Sequence, residues 1–255
     1  KALFEGKWII IGFTSIASIF VVIYSLSLPN IYKSEALLVP ISSKESVGGN
    51  VSDLGGLASL AGISLSDSSD NSAVAFEKLH SLSFFEEKIL PQINLPDLMA
   101  VESWEPSSNI ISYDEEIYDD NENVWTREIS GLQTPEPSAQ ESFKVFMEQM
   151  IIFKDIKTKL VTIGVKHQSP FIAKQWADLV ISEINSFYRE KDRSEATFAV
   201  NYLNGELSKT RLSEVKMVIA EVLAQQIQTL TLIEANANYV FDFIDPPAVM
   251  EKKSE

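Results

Sequence analysis

From Trp8 to Leu28 the chain runs 21 residues without a charge. A hydrocarbon core about 30 Å thick needs roughly 20 apolar residues in a helix, so the run predicts a transmembrane helix over 8–28. After Pro29 the period changes to two. Tyr32, Ala36 and Leu38 alternate with Lys33 and Glu35, which predicts a strand over Ile31 to Val39. Five glycines between Val47 and Ser69 then mark a loop, and Asn71 to Leu90 reads as two short helices. Ser83 and Glu86 have the spacing of a capping box for the second of these.

Helical spacing returns at Phe143, Phe146, Met147 and Met150, and Val161, Ile163 and Val165 alternate as a second strand. Ser169-Pro170 then predicts a helix start, with Ser as N-cap and Pro at the first helical position. Ile172, Trp176, Leu179, Val180, Ile184 and Phe187 form its apolar side, and charges from Arg189 to Arg193 read as its end. From Ser194 to Ala235 apolar residues recur at Phe198, Leu203, Leu207, Leu212, Val215, Ile219, Val222, Leu223, Ile227 and Leu230. At about 1.5 Å per residue, a single helix over 194–235 would reach roughly 63 Å, longer than a small domain is wide. Such a rod needs a neighbour along its apolar stripe, because helical propensity alone does not hold it. Association with further copies through Leu207, Leu212, Val215, Ile219 and Val222 is the first expectation. The alternative is a helix-loop-helix within one copy, turning at Asn204-Gly205. Tyr239 to Ile244 closes the chain as a strand. The pattern predicts an α+β fold: an N-terminal transmembrane helix, a membrane-proximal base with a small mixed sheet, and a long protruding helix.

Composition narrows the function. The formal net charge is −15, and the basic residues are scattered, which argues against nucleic acid as a partner. Eleven acidic residues and one basic residue, Arg127, fall between Val101 and Ser142. This acidic run does not fit a calcium loop: counted from Asp119, Val124 stands where the turn glycine belongs and Ser130 where the bidentate Glu belongs. A solvated hairpin with Ile111, Tyr113, Ile117, Tyr118 and Trp125 on its buried faces is expected instead. The absence of cysteine excludes disulfides, thiolate metal sites and thiol nucleophiles. His80 and His167 have no partners at ligand or catalytic spacing, and no phosphate loop, nucleophile elbow or zinc-protease motif occurs. The residues suggest neither an enzyme nor a cofactor.

Several short stretches carry a resemblance: Glu5-Gly6-Lys7-Trp8, Tyr113 to Tyr118 with Trp125 and Arg127, Ser169-Pro170 with Ala173-Lys174-Gln175-Trp176, and Tyr239-Val240-Phe241 before Asp245-Pro246. Their order and spacing resemble the Wzz-type chain-length determinants, the polysaccharide co-polymerases of O-antigen synthesis. The resemblance implies residues 1–7 in the cytoplasm, a periplasmic co-polymerase domain over 29–255, and a second transmembrane helix just after residue 255. It also implies a homo-oligomeric ring in the bacterial inner membrane, acting without catalysis on the Wzy polymerase, with the polysaccharide itself as a candidate partner. The residues alone also admit a membrane-anchored periplasmic sensor, or an export adaptor, although too few strands precede the long helix for the latter.

Overall fold

The computed structural model describes residues 13–14, 16–22, 29–41, 71–235 and 238–254. The expected cytoplasmic end, the remainder of 8–28 and the glycine-rich loop over Val47 to Ser69 lie outside the described residues. Within 13–22 the described residues are helical, and Phe13, Ile16, Ile19, Phe20, Val21 and Val22 are all exposed. Among the described residues no helix is long and apolar enough to cross a membrane. The span expected over 8–28 therefore rests on the sequence.

Four strands form the main sheet: β1 (Tyr32–Pro40), β6 (Met150–Lys154), β7 (Val161–His167) and β8 (Phe241–Asp245), in the order β6-β7-β1-β8. Every pairing is antiparallel, which corrects the expected mixed sheet. The reason is the placement of β1: it lies between β7 and β8, which run parallel to each other but never pair. Tyr32 sits opposite His167 and Leu38 opposite Val161. Gly164 lies opposite Glu35, where an added Cβ would come within 2.6 Å of the Ser34 carbonyl oxygen, so this crossing admits no side chain.

Between β1 and β6 come α1 (Asn71–Lys78), α2 (Leu82–Phe84, continued by a π-helical turn over Phe85–Ile89) and α3 (Leu95–Met99). The two-stranded ribbons β2 (Val101–Glu105) with β3 (Ile110–Tyr113) and β4 (Tyr118–Asp119) with β5 (Val124–Trp125) follow, and then α4 (Ala139–Gln149). Ser81, not Ser83, caps α2, its hydroxyl accepting from the Phe84 N–H. A capping box does form at α4, between Ser138 and Glu141. Helical spacing stops earlier than expected: Met150 begins β6, whose Met150 and Ile152 pack on the core.

The sequence from Pro170 forms α5 (Pro170–Lys209), and α6 (Ser213–Ala235) follows after a three-residue connection. The first half of α5 lies on the sheet. Ala173, Trp176, Ala177, Val180, Ile181, Ile184 and Tyr188 are buried there, at the three- and four-residue spacing of one helix face. All but Ala173 meet Ala36, Leu38, Val161, Ile163 and Val165 in one core, and each large apolar side chain so buried contributes about 1.5–3 kcal/mol.

Asn185 stands in the middle of that apolar face, 5% exposed. Its Oδ1 accepts from the N–H groups of Tyr239, Val240 and Phe241 at 3.2, 2.7 and 2.9 Å, and its Nδ2 donates to the Phe241 carbonyl at 3.1 Å. The side chain thus satisfies the backbone that leads into β8, where burial would otherwise leave it unpaired. Arg127 works in the same way at the surface of the acidic region. Its guanidinium pairs with both oxygens of Glu141 at 3.1 and 3.0 Å and donates to the carbonyls of Thr134 and Pro135.

Asn185→Ala leaves several buried backbone groups without partners and should cost at least about 2 kcal/mol, read as a lower thermal midpoint. The Arg127 guanidinium holds the Glu141 carboxyl down at about 2, from an ordinary 4.5. A depressed folded value means stability that is complete above about pH 4.5 and lost as pH falls towards 2. The difference in thermal midpoint between the native chain and Glu141→Gln should therefore be largest near neutral pH and shrink through that window. A difference independent of pH would contradict it.

Candidate functional site

The structure places the expected long helix earlier than the sequence reading did. Charges from Arg189 to Arg193 do not end a helix, because charged residues other than Asp are good helix formers and here they find partners. Arg193 pairs with Glu234 of α6 at 2.7 Å, and Asp192 accepts from the Tyr239 hydroxyl at 2.7 Å. Burial, together with the bond to Asp192, pushes the Tyr239 phenol well above its ordinary value, so it stays a donor at any physiological pH. At about 1.5 Å per residue, the 40 residues of α5 span roughly 60 Å.

The single helix expected over 194–235 is a helical hairpin, the arrangement weighed as its alternative, but the turn is not at Asn204-Gly205. Gly205 stays inside α5 with a helical backbone and open space around it. The helix ends at Thr210, whose backbone is extended and whose hydroxyl bonds back to the Glu206 carbonyl at 2.8 Å. Such a local bond competes with continued helix. From there α6 returns along α5.

Beyond Ala196 the two arms of the hairpin cover each other only in part. No residue from 197 to 232 is buried, although the stretch carries Phe198, Tyr202, Leu212, Val215, Met217, Val218 and Ile227, all exposed. The same stretch contains three acidic and three basic residues. It is electrically neutral in a chain whose net charge is −15. Apolar, neutral and unburied is the character of a surface that meets another surface.

The five residues expected at an interface divide into two groups. Leu212 and Val215 are exposed, at 66% and 43%. Ile219 and Val222 are half-buried and fall at helical spacing with Gln226, Leu230 and the buried Ile233, the stripe that α6 turns towards α5. Leu207, near the end of α5, is half-buried as well. Met217, Val218 and Ile227 belong to the exposed set and were absent from the sequence-based choice; their signal was that α6 is apolar on more than one face.

Elsewhere the chemistry is spent on structure. His167 is buried, its Nδ1 facing the Ser169 N–H at 2.9 Å and its Nε2 facing the Asp97 carbonyl at 2.9 Å. This pattern requires a neutral ring protonated on Nε2, and burial lowers its proton affinity further. His80 is exposed beside Phe76. A groove of about 510 Å³ between α5 and β8 is lined by Gln92, Asp178, Ser182, Asn185, Asn238 and others. Its polar groups already bond internally, Gln92 to Glu183, Asp178 to Lys174 and Asn238 to Asp242. Among the described residues no group of three His, Asp or Glu could hold a metal ion.

Residues that carried the family resemblance also prove to be scaffold. Tyr113 donates to Asp97 at 2.6 Å, Tyr118 packs edge-on against Tyr113 and at a tilt against Trp125, and Trp176 fills the core under His167. The two ends of the described domain meet at one corner, where the Ser254 N–H donates to the Ile31 carbonyl and the Lys253 ammonium to Asn30.

Compared with known proteins, residues 1–87 match the family model Wzz, chain length determinant protein. That match bears out the resemblance read from the sequence over the amino-terminal third of the chain. No curated protein matches. Among solved structures, a fragment of WzzB, a polysaccharide co-polymerase from Salmonella Typhimurium, aligns over 89% of this chain and 100% of its own at 14% identity, with a TM-score of 0.35. At that score no residue role is carried across.

Val215 offers a clean test of the hairpin surface. Because it faces outward within one copy, Val215→Asp should leave helix content unchanged, whereas an unpaired charge in an apolar contact costs several kcal/mol. The variant should show native circular dichroism and a smaller mass by light scattering in detergent. Native mass in the variant would rule Val215 out of the contact.

Proposed function

From a chain whose first 87 residues match the Wzz chain length determinants, we propose a non-catalytic regulator of lipopolysaccharide O-antigen chain length. It is a membrane-anchored homo-oligomer in the bacterial inner membrane, with residues 29–255 in the periplasm, and it acts as a scaffold on the Wzy polymerase. The observation that carries the oligomer is the hairpin stretch 197–232, which is apolar, neutral and without a single buried residue. Side-by-side packing of hairpins from neighbouring copies would cover that surface and close a ring.

The anchor agrees with the domain's geometry. The chain enters at Asn30 and returns to the same point at Lys253 and Ser254, as two membrane spans flanking one domain would require. From that corner α5 carries the hairpin away by about 60 Å, so the contact surface stands far from the bilayer. Neither the polymerase contact nor binding of the polysaccharide is needed for the ring itself.

The direct test is a lipopolysaccharide ladder from a strain lacking its own chain-length determinant, with and without this protein. A cluster of bands at a defined repeat number is the expected result. An unmodulated ladder, with the protein present in the membrane and its polymerase supplied from the same source, would refute the reading.

A further inference from the structure

We propose that the corner formed by Tyr32, Trp104 and Phe171, with the β2-β3 turn beside it, lies in the headgroup layer of the bilayer and sets how the domain stands on the membrane. This placement rests on the reading of 8–28 as a membrane span. Pro29 and Asn30 follow that run directly, and two residues of chain cover at most about 7 Å. The same Pro29 and Asn30 line a groove of about 400 Å³ together with Tyr32, Trp104 and Pro106. The β2-β3 ribbon therefore lies across one groove from the residues that follow the apolar run.

The side chains there have the character of interfacial anchors. The Tyr32 ring packs edge-on against Trp104 at 5.4 Å, and Trp104 lies 6.3 Å from Phe171. Phe171 is 48% exposed and Ile110, at the far end of the turn, 59%. The indole N–H of Trp104 donates to Asn109, so its polar edge is satisfied without water. Lys253 donates to Asn30, a residue of the same groove, and so places an ammonium beside it. Aromatic rings with a polar edge, flanked by lysine, favour the boundary between headgroups and acyl chains over either water or hydrocarbon. The exposed carboxylates of Glu102 and Glu105 fix the depth, since neither can enter hydrocarbon without heavy cost. Because α5 begins at Pro170, next to Phe171, the same contact sets the direction in which the hairpin leaves the membrane.

The test uses the full chain in phosphatidylcholine vesicles containing lipids brominated near the headgroup or deep in the acyl chain. The unmodified protein reports the span through Trp8; in Trp8→Phe the emission comes from Trp104, Trp125 and Trp176. Shallow bromines should quench roughly a third of the Trp8→Phe emission, one tryptophan in three, and deep bromines clearly less. Adding Trp104→Phe should abolish that quenching. Iodide quenching of Trp8→Phe, summed over Trp104, Trp125 and Trp176, should fall on reconstitution, which tests the placement without altering the corner. Quenching of Trp8 with none in Trp8→Phe would overturn the placement and leave the span intact. No quenching of Trp8 would overturn both.

Discussion

Helix α5 is about twice as long as the sheet that buries it, and the rest of the structure answers to that mismatch. Its first half is fixed by a core of branched aliphatics and Trp176 between helix and sheet. Among the described residues its second half extends past the sheet along α6, and two helices of this composition cannot cover each other's apolar residues. A two-helix hairpin has one inner seam; side chains such as Met217, Val218 and Ile227 on the outer faces stay in water unless another molecule arrives. The hydrophobic effect that folds the base is thus left unfinished in the hairpin.

What keeps α5 pointing in one direction is polar. Asn185 spends its Oδ1 and an Nδ2–H on the backbone leading into β8, and Tyr239 and Arg193 tie the middle of α5 to that same segment and to the end of α6. β8 in turn pairs with β1, and β1 begins where the chain emerges from the apolar run. Direction therefore passes from the corner at Asn30 and Ile31 through β1 and β8 to the helix. The proposed role in setting chain length would draw on such a rigid reference, which apolar packing alone specifies less sharply than a satisfied buried amide.

Much of this was legible in the sequence because it rests on periodicity. The alternation in Tyr32, Ala36 and Leu38 and in Val161, Ile163 and Val165 marked the two central strands, and Ser169-Pro170 marked the start of α5. The failures have physical causes. Met150 to Lys154 was hidden because Met150 continues the spacing of Phe143 and Met147 and no Gly or Pro separates α4 from β6. Arg189 to Arg193 looked like an end because a charged run has no apolar side, yet charges paired across a hairpin extend a helix. Thr210-Arg211-Leu212 carries no turn signal, whereas Asn204-Gly205 does and remains helical. Ser83 with Glu86 and Ser138 with Glu141 share one motif, and only tertiary context decides which becomes a cap. Asn185 left a signal that can be read: an amide in the apolar stripe of Ile181, Ile184 and Tyr188. Of the candidate interface, Leu212 and Val215 were placed on the free side and Ile219 and Val222 on the inner seam, a division that needs the position of α6.

The central claim is that the outer face of the hairpin is covered by further copies of the same chain. Its most direct measurement is photo-crosslinking in native membranes, with benzoylphenylalanine incorporated at Val218, an outward position of α6 that is 54% exposed. The account predicts light-dependent covalent dimers and higher multiples of this chain. Adducts only to lipid or to another protein, or none at all from a protein that is folded and in the membrane, would contradict it.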